Sequence, residues 1–155
     1  MAAKIEPGAS SLAKRIPGNT FNYYNFNGQK RRHNWYLHST STEFDEPIAL
    51  AFASGSTVAV TLYGCMGRGA IAYNRGDNVE LRHQLEIKLK RTGMKSRPHP
   101  MFHGCGRHNI CNRGQRDLQL ELTPRLRLCP FAWGKRRVFI DRVRKVLGDD
   151  DNLDS

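Results

Sequence analysis

The segment from residue 97 to residue 113 concentrates the side chains best suited to metal chemistry. Zn²⁺ prefers imidazole nitrogen and thiolate sulfur, and four such ligands complete a tetrahedral site. Four of them recur at short intervals here, on a glycine-containing stretch that carries arginines and no acid. The spacing predicts a structural zinc ion held by His103, Cys105, His108 and Cys111.

Two further side chains are alternative zinc ligands, namely His99 and Cys129. Cys129 would tie the Cys/His segment to the strand that is predicted to follow it, and metal binding would then stabilise a polar loop. The spacing does not match a standard zinc finger, because a helical pair of histidines is missing. A metal-free loop whose histidines and arginines contact phosphate therefore stays open as a second interpretation.

The charge of the chain indicates a polyanionic partner. Its 155 residues carry 25 Lys and Arg against 14 Asp and Glu, a formal net charge of +11. Residues 86–145 hold 16 of the basic residues and only four acidic ones. A surface of this kind binds phosphates through counterion release. Nucleic acid is thus the leading candidate, and RNA is favoured over DNA because aromatic residues beside cations suit unstacked bases.

The predicted contacts to nucleic acid are cations on several elements and aromatic residues near the N-terminus. The cations would contact phosphate independently of sequence, and the aromatic rings would stack on bases. The residues are Lys88, Lys90, Arg91, Arg107, Arg113, Arg125, Arg127, Arg136, Arg137, Arg144, Tyr23, Tyr24 and Trp35. A docked arm that covers the core is the alternative for the aromatic residues.

Periodicity predicts an α+β fold with an antiparallel sheet of about five to seven short strands. Residues 48–52 and 57–62 read as a hairpin, residues 70–73 as a short strand, and residues 79–90 alternate like a half-buried strand. A second alternation runs from Leu118 to Leu128 with a proline inside it. Residues 135–147 have the 3.6-residue spacing of one C-terminal amphipathic helix.

The chain is predicted to contain one folded domain with two extensions. Residues 1–30 form a disordered basic and aromatic arm, residues 31–148 the β-rich domain, and residues 149–155 an acidic tail. No apolar run is long enough for a membrane helix, and the N-terminus does not resemble a secretory signal. We therefore expect a cytoplasmic or nuclear protein with reduced thiols and no membrane partner. Homo-oligomerisation stays open.

Three other function classes compete with nucleic-acid binding. One is a structural or protein-interaction module, either nucleocapsid-like or docked on an acidic partner. Another is a Mg²⁺-dependent nuclease that uses Asp77, Glu86 and Lys88, although the flanking topology of such enzymes is not evident. The last is a Cys/His protease or transferase that uses Cys105 or Cys111 with a nearby histidine, which would need an orienting acid that the 97–113 segment lacks. A binding protein is favoured over an enzyme.

In size, charge and cysteine content the chain resembles accessory proteins of some RNA viruses. Several of those proteins bind RNA and suppress RNA silencing, which is the function that this resemblance implies. The resemblance rests on composition alone, so no functional position is transferred from it.

Overall fold

The computed structural model describes residues 6–26, 36, 39–100, 106 and 108–148. Its elements follow the order α1 (Ala9–Ala13), α2 (Pro47–Ser54), β1 (Val58–Gly64), β2 (Ile71–Arg75), α3 (Val79–Lys90), β3 (Lys95–Pro98), β4 (Arg116–Leu122), α4 (Pro124–Leu128) and α5 (Trp133–Gly148). Short 3₁₀ turns lie at Ile110–Arg113 and Pro130–Ala132. The α+β class predicted from the sequence is confirmed. None of the helices in these ranges has the length and apolar character needed to cross a membrane.

Within the described residues the sheet has four strands of mixed direction, in the order β1-β4-β2-β3. β1 runs parallel to β4, β4 antiparallel to β2, and β2 parallel to β3 through the crossover helix α3. The prediction of an antiparallel sheet with five to seven strands is therefore wrong in type and number. β1 and β4 both end, at Gly64 and Leu122, on the same edge of the sheet.

One face of the sheet carries the main core. Leu62 on β1 and Leu118, Leu120 and Leu122 on β4 are buried on this face, and helices α1, α3 and α5 supply the opposing apolar side chains. Phe139 and Val143 of α5 are fully buried there, which confirms the predicted C-terminal helix.

Residues 79–90 form a helix, and their prediction as a strand is wrong. Leu81, Leu85 and Leu89 are fully buried at intervals of four residues, so they make one stripe along α3. Asn78 begins this helix, because its side chain accepts a hydrogen bond from the Leu81 amide at 2.9 Å. The other apolar members of the alternation, such as Ile87, are exposed.

Residues 47–54 are helical as well, so the predicted hairpin does not form. Pro47 occupies the first helical position, where its missing amide hydrogen costs nothing. The Glu46 carboxylate caps the helix by accepting hydrogen bonds from the amides of Ile48 and Ala49. β1 then pairs with β4 rather than with the segment before it. The short strand predicted at residues 70–73 does form, as β2.

The N-terminal segment is part of the fold, in contrast to the predicted disordered arm. Ala9, Leu12 and Ile16 are buried, and the latter two join the main core. Tyr24 packs against Phe52 of α2, as expected for the docked arrangement of the aromatic residues. The proposed acidic tail lies outside the residues that the structure describes, and the domain boundaries themselves remain a prediction.

The alternation from Leu118 to Leu128 covers two elements rather than one strand. β4 ends at Leu122, and Thr123 with Pro124 begins helix α4. Because the backbone changes from extended to helical, Arg125 and Arg127 no longer share a face with Glu121. Arg125 is exposed and Arg127 is buried.

Candidate functional site

The second face of the sheet is polar, and a row of side chains crosses all four strands near its edge. Tyr63 on β1 is paired with Glu121 on β4, Glu121 with Tyr73 on β2, and Tyr73 with Arg97 on β3. Directly paired residues present their side chains on the same face. Polar groups from four strands therefore converge at the end of the two parallel strands, where open sheets commonly bind ligands.

Glu121 is the centre of this row. Its Oε1 pairs with the guanidinium of Arg75, its Oε2 lies 3.7 Å from His99 Nε2, and the Gln119 amide donates to Oε1 at 3.2 Å. The Glu121 side chain is only 12% exposed. Burying one of these side chains without the other would leave a charge without its partner, so Glu121 and Arg75 act as one unit.

His99 is held in its neutral form beside this pair. The pKa of His99 is lowered from its usual value, first by burial and then by the charge of Arg75, while Glu121 opposes the shift. Its ring meets Tyr73 edge-on with centroids 5.0 Å apart, and Arg97 donates to the Tyr73 hydroxyl at 3.3 Å. A neutral imidazole near a carboxylate is able to accept or donate a proton at neutral pH.

A second carboxylate reaches the same edge from the N-terminal segment. Glu6 Oε2 accepts a hydrogen bond from the Gly64 amide at 2.7 Å, at the point where β1 ends. Glu6 lies just before helix α1, whose buried Ala9 and Leu12 anchor this segment to the protein. Glu6 also contributes to raising the pKa of Cys65, although burial is the main cause of the rise to about 11.

Arg127 links the N-terminal segment to the ends of β1 and β4 through hydrogen bonds. Its Nε donates to Leu122 O at 2.8 Å, its Nη1 to Pro7 O at 2.5 Å and its Nη2 to Cys65 O at 3.5 Å. A Cβ on Gly64 would lie 2.6 Å from the guanidinium carbon, so a larger residue there would displace Arg127 from this position. Arg127 thus binds backbone oxygens inside the protein and is not a phosphate contact.

Two of the four predicted zinc ligands, His103 and Cys105, lie outside the described residues. His108 is exposed, whereas Cys111 is buried and donates to Asn112 Oδ1 at 2.8 Å. Burial raises the pKa of Cys111 to about 12. The alternative ligand His99 faces Glu121, and Cys129 is half-buried before the 3₁₀ turn at 130–132. The ligand set itself remains a prediction.

The donor set of the polar face does not form a zinc site by itself. Among the residues described, no group of three or more His, Cys, Asp or Glu side chains is arranged to hold a metal ion. Glu121 is occupied by Arg75, and Glu6 by a backbone amide. A zinc ion in this chain would need ligands from the undescribed residues, which include His33, His38, His103 and Cys105.

The predicted nucleic-acid contacts are spread over α3, the turn at 110–113, α4 and α5, and their environments differ. Exposed cations are Lys90, Arg91, Arg113, Arg125, Arg137 and Arg144; Lys88 and Arg136 are half-buried; Arg127 is buried; Arg107 and Trp35 are not described. The Tyr24 hydroxyl donates to Glu46, and that of Tyr23 lies 3.5 Å from Ser10 O. Both tyrosines are therefore docked on the protein.

The nuclease alternative also fails on geometry. Glu86 and Lys88 lie two residues apart on helix α3, where such positions do not share a face. Glu86 instead accepts a hydrogen bond from Asn74 at 2.7 Å.

The residues that sequence reasoning missed are Glu6, Arg75 and Glu121. Glu6 falls within the predicted arm, and Glu121 falls within the alternation from Leu118 to Leu128, where neither was singled out as functional. The sequence held one signal of this polar face. Three residues in the β4 alternation carry amide or carboxylate groups, and such groups need hydrogen-bond partners when another segment covers them.

A family model for poly-gamma-glutamate hydrolase matches residues 3–139. Two relatives from Bacillus subtilis (strain 168) are UPF0714 protein YmaC, 29% identical over 122 residues, and UPF0714 protein YndL, 30% identical over 122 residues. These alignments cover 77% and 76% of this chain, but 52% and 48% of the relatives. The chain thus spans about half the length of the curated relatives it matches.

Two solved structures share the fold. One is described as the structure of bacteriophage poly-gamma-glutamate hydrolase, with a TM-score of 0.86, 24% identity, and coverage of 99% of this chain and 84% of that one. The other is described as YNDL-apo (Zinc-free), with a TM-score of 0.82, 24% identity, and coverage of 97% and 84%. The latter description agrees with the zinc cofactor predicted from the sequence.

These matches overturn the function predicted from charge. The predictions of nucleic-acid binding and RNA-silencing suppression are wrong, and so are the module and nuclease alternatives, because the family model that matches the chain describes a poly-gamma-glutamate hydrolase. The prediction of a nucleic-acid partner is therefore wrong as well. Since the family model covers residues 3–139, the chain belongs to the poly-gamma-glutamate hydrolase family.

Proposed function

We propose that this protein hydrolyses the γ-amide bonds of poly-γ-glutamate, at the edge of the sheet where Glu6, Glu121 and His99 meet. The observation that carries the proposal is the family match over residues 3–139, which includes all three side chains. The site chemistry agrees with it, because amide hydrolysis needs groups that move protons and groups that stabilise negative charge.

Glu121 is the group that we assign to proton transfer. Its carboxylate is buried at the end of β4, and it lies beside the imidazole of His99. A carboxylate in this position takes a proton from the attacking water, and the neutral His99 lies close enough to relay one toward the leaving amine. Arg75, paired with Glu121, supplies positive charge to the oxygen on which negative charge develops.

The net charge of the chain also suits this substrate. Poly-γ-glutamate carries one free carboxylate on each residue, so it is a polyanion, as is nucleic acid. A formal net charge of +11 raises the local concentration of such a polymer near the protein. The composition predicted a polyanionic ligand, and in this proposal that ligand is poly-γ-glutamate instead of nucleic acid.

Zinc enters this proposal from the structural neighbour, and we propose it as the cofactor. When bound, such an ion polarises the amide carbonyl or the attacking water. Because the described residues do not make up a ligand set, no step above is assigned to the metal.

The test is cleavage of poly-γ-glutamate by the purified chain, with polymer length and released amino groups measured with added zinc and with a chelator. Glu121→Gln removes the charged oxygen and should lower cleavage by about a hundredfold or more. Glu80→Gln makes the same chemical change on the exposed surface of α3 and should leave cleavage intact. α-Linked polyglutamate of equal length controls for charge. Equal cleavage of both polymers, or of neither with zinc present, would contradict the proposal.

A further inference from the structure

An exposed aromatic patch lies at the junction between helices α4 and α5. Trp133 is 54% exposed and Phe131 is 98% exposed. The guanidinium carbon of Arg15 lies 4.5 Å from the centroid of the Trp133 ring, and that of Arg136 lies 5.6 Å from it. One indole therefore orients two cations, since guanidinium groups are attracted to its π face.

These two cations lack acidic partners among the described residues. The ion pairs found there engage Arg75, His99, Arg142 and Lys145, and none involves Arg15 or Arg136. Arg136 Nη1 donates to two backbone oxygens, at 3.3 Å for Arg127 and 3.0 Å for Cys129. The guanidinium is thus fixed in place while most of its donors stay available, because arginine has five N–H groups.

The patch borders the candidate active site. Arg136 Nη1 lies 3.3 Å from Arg127 O, and a Cβ on Gly8 would lie 2.8 Å from the same oxygen. Gly8 follows Glu6 by two residues, so Arg136 Nη1 lies on the order of 15 Å or less from the Glu6 backbone. A γ-linked glutamyl residue extends about 6 Å, since it adds two methylenes to an α-linked residue. Two or three residues of polymer span this gap.

We propose that Arg15, Trp133 and Arg136 form a subsite that binds carboxylates of the poly-γ-glutamate chain a few residues away from the bond being cleaved. This inference rests on the proposed function and extends it. Oriented guanidinium groups bind carboxylates in a bidentate manner, and the exposed indole covers the methylene segments of the polymer. A short substrate cannot reach the subsite, whereas a long one occupies both places at once and gains effective concentration.

The test compares a long poly-γ-glutamate with a γ-linked triglutamate as substrates at low ionic strength. Arg15→Gln and Trp133→Ala change exposed side chains, and unchanged thermal unfolding verifies the fold of each. Both should raise KM for the long polymer about threefold to tenfold and leave kcat and the KM for the trimer unchanged. Lys145→Gln is the matched control, because it removes one charge from the distal end of α5.

Equal increases in KM for polymer and trimer, or the same increase in the Lys145→Gln control, would overturn the subsite. Binding of a fluorescent poly-γ-glutamate to the full chain keeps the two proposals separate. If the protein binds the polymer without cleaving it, the hydrolase proposal fails; weaker binding by Arg15→Gln than by Lys145→Gln then still supports the subsite. Equal binding by these two variants overturns it.

Discussion

The Arg127→Met substitution tests whether this arginine holds the site together from inside the protein. It removes the donors to Leu122 O and Pro7 O, at 2.8 and 2.5 Å, and a weaker contact to Cys65 O at 3.5 Å. A hydrogen bond from a charged donor contributes about 1.5–3 kcal/mol, and an acceptor left without a partner in a buried position adds a penalty. Loss of the two short bonds, partly offset by removal of a buried charge, should lower the free energy of unfolding by about 3 kcal/mol.

Urea unfolding followed by circular dichroism measures this change. With a slope of about 2 kcal/mol per molar urea, the midpoint should fall by about 1.5 M. Arg127→Lys keeps the charge but not the forked donors, so it should recover less than half of the loss. Arg125→Met is the matched control, because Arg125 is exposed two residues away, and it should change stability by at most about 0.5 kcal/mol. If Arg127→Met and Arg125→Met unfold at the same midpoint, the reasoning about the buried arginine is refuted.

Three further predictions concern the helix α3, the imidazole at the site and the buried thiol. Leu85→Ala should lower the free energy of unfolding by about 2–5 kcal/mol, because Leu85 is fully buried. Ile87→Ala should lower it by less than about 1 kcal/mol, because Ile87 is exposed. Equal losses for the two variants in chemical denaturation would favour a strand at residues 79–90 instead of the helix. The pKa of His99 is lowered in the folded state, so protonation favours unfolding and stability should fall as pH drops below about 6.5. His99→Gln should reduce this loss of stability at low pH. The same pH dependence of the melting temperature in the variant and the parent protein would contradict the role of His99. Cys111, with its pKa raised to about 12 by burial, should resist alkylation by iodoacetamide at pH 8 until the protein is unfolded, as mass spectrometry of the labelled peptide would report.

The helix α3 shows where periodicity reaches its limit. Leu81, Leu85 and Leu89 share one parity, and they also recur every fourth residue. Both the strand and the helix pattern therefore fit these leucines. Val79 and Ile87 share their parity and so favoured the strand. Asn78 was the signal that distinguishes them, because an Asn before an apolar run caps a helix. The C-terminal helix presented no such conflict, and its prediction is confirmed.

The parallel pairing of β1 with β4 had no local signal. Val58 pairs with Arg116, and the intervening segment contains two other strands and a helix. The sequence therefore predicted a hairpin between residues 57–62 and the segment just before them. Turn chemistry at Ser54–Gly55–Ser56 supported the hairpin equally well, since a helix may also end at such residues.

The polar face of the sheet explains why the site was missed. Alternation on β4 correctly separated Leu118 and Leu120 from Gln119 and Glu121, but the polar side was assigned to solvent. In the structure Asn109 donates to Gln119 at 2.8 Å, which places the chain around the 110–113 turn over this face. Periodicity reports which side chains share a face, and it does not report whether another segment covers that face.

The contact between Arg127 and Pro7 joins residues that are 120 positions apart in the chain. Closing a loop of this size costs conformational entropy before any contact compensates for it, so we expect this contact to form late in folding. Substitutions there should speed unfolding and leave the folding rate nearly unchanged. During synthesis the candidate site is therefore completed only after residue 127 has been made, and the main core only after helix α5 has followed.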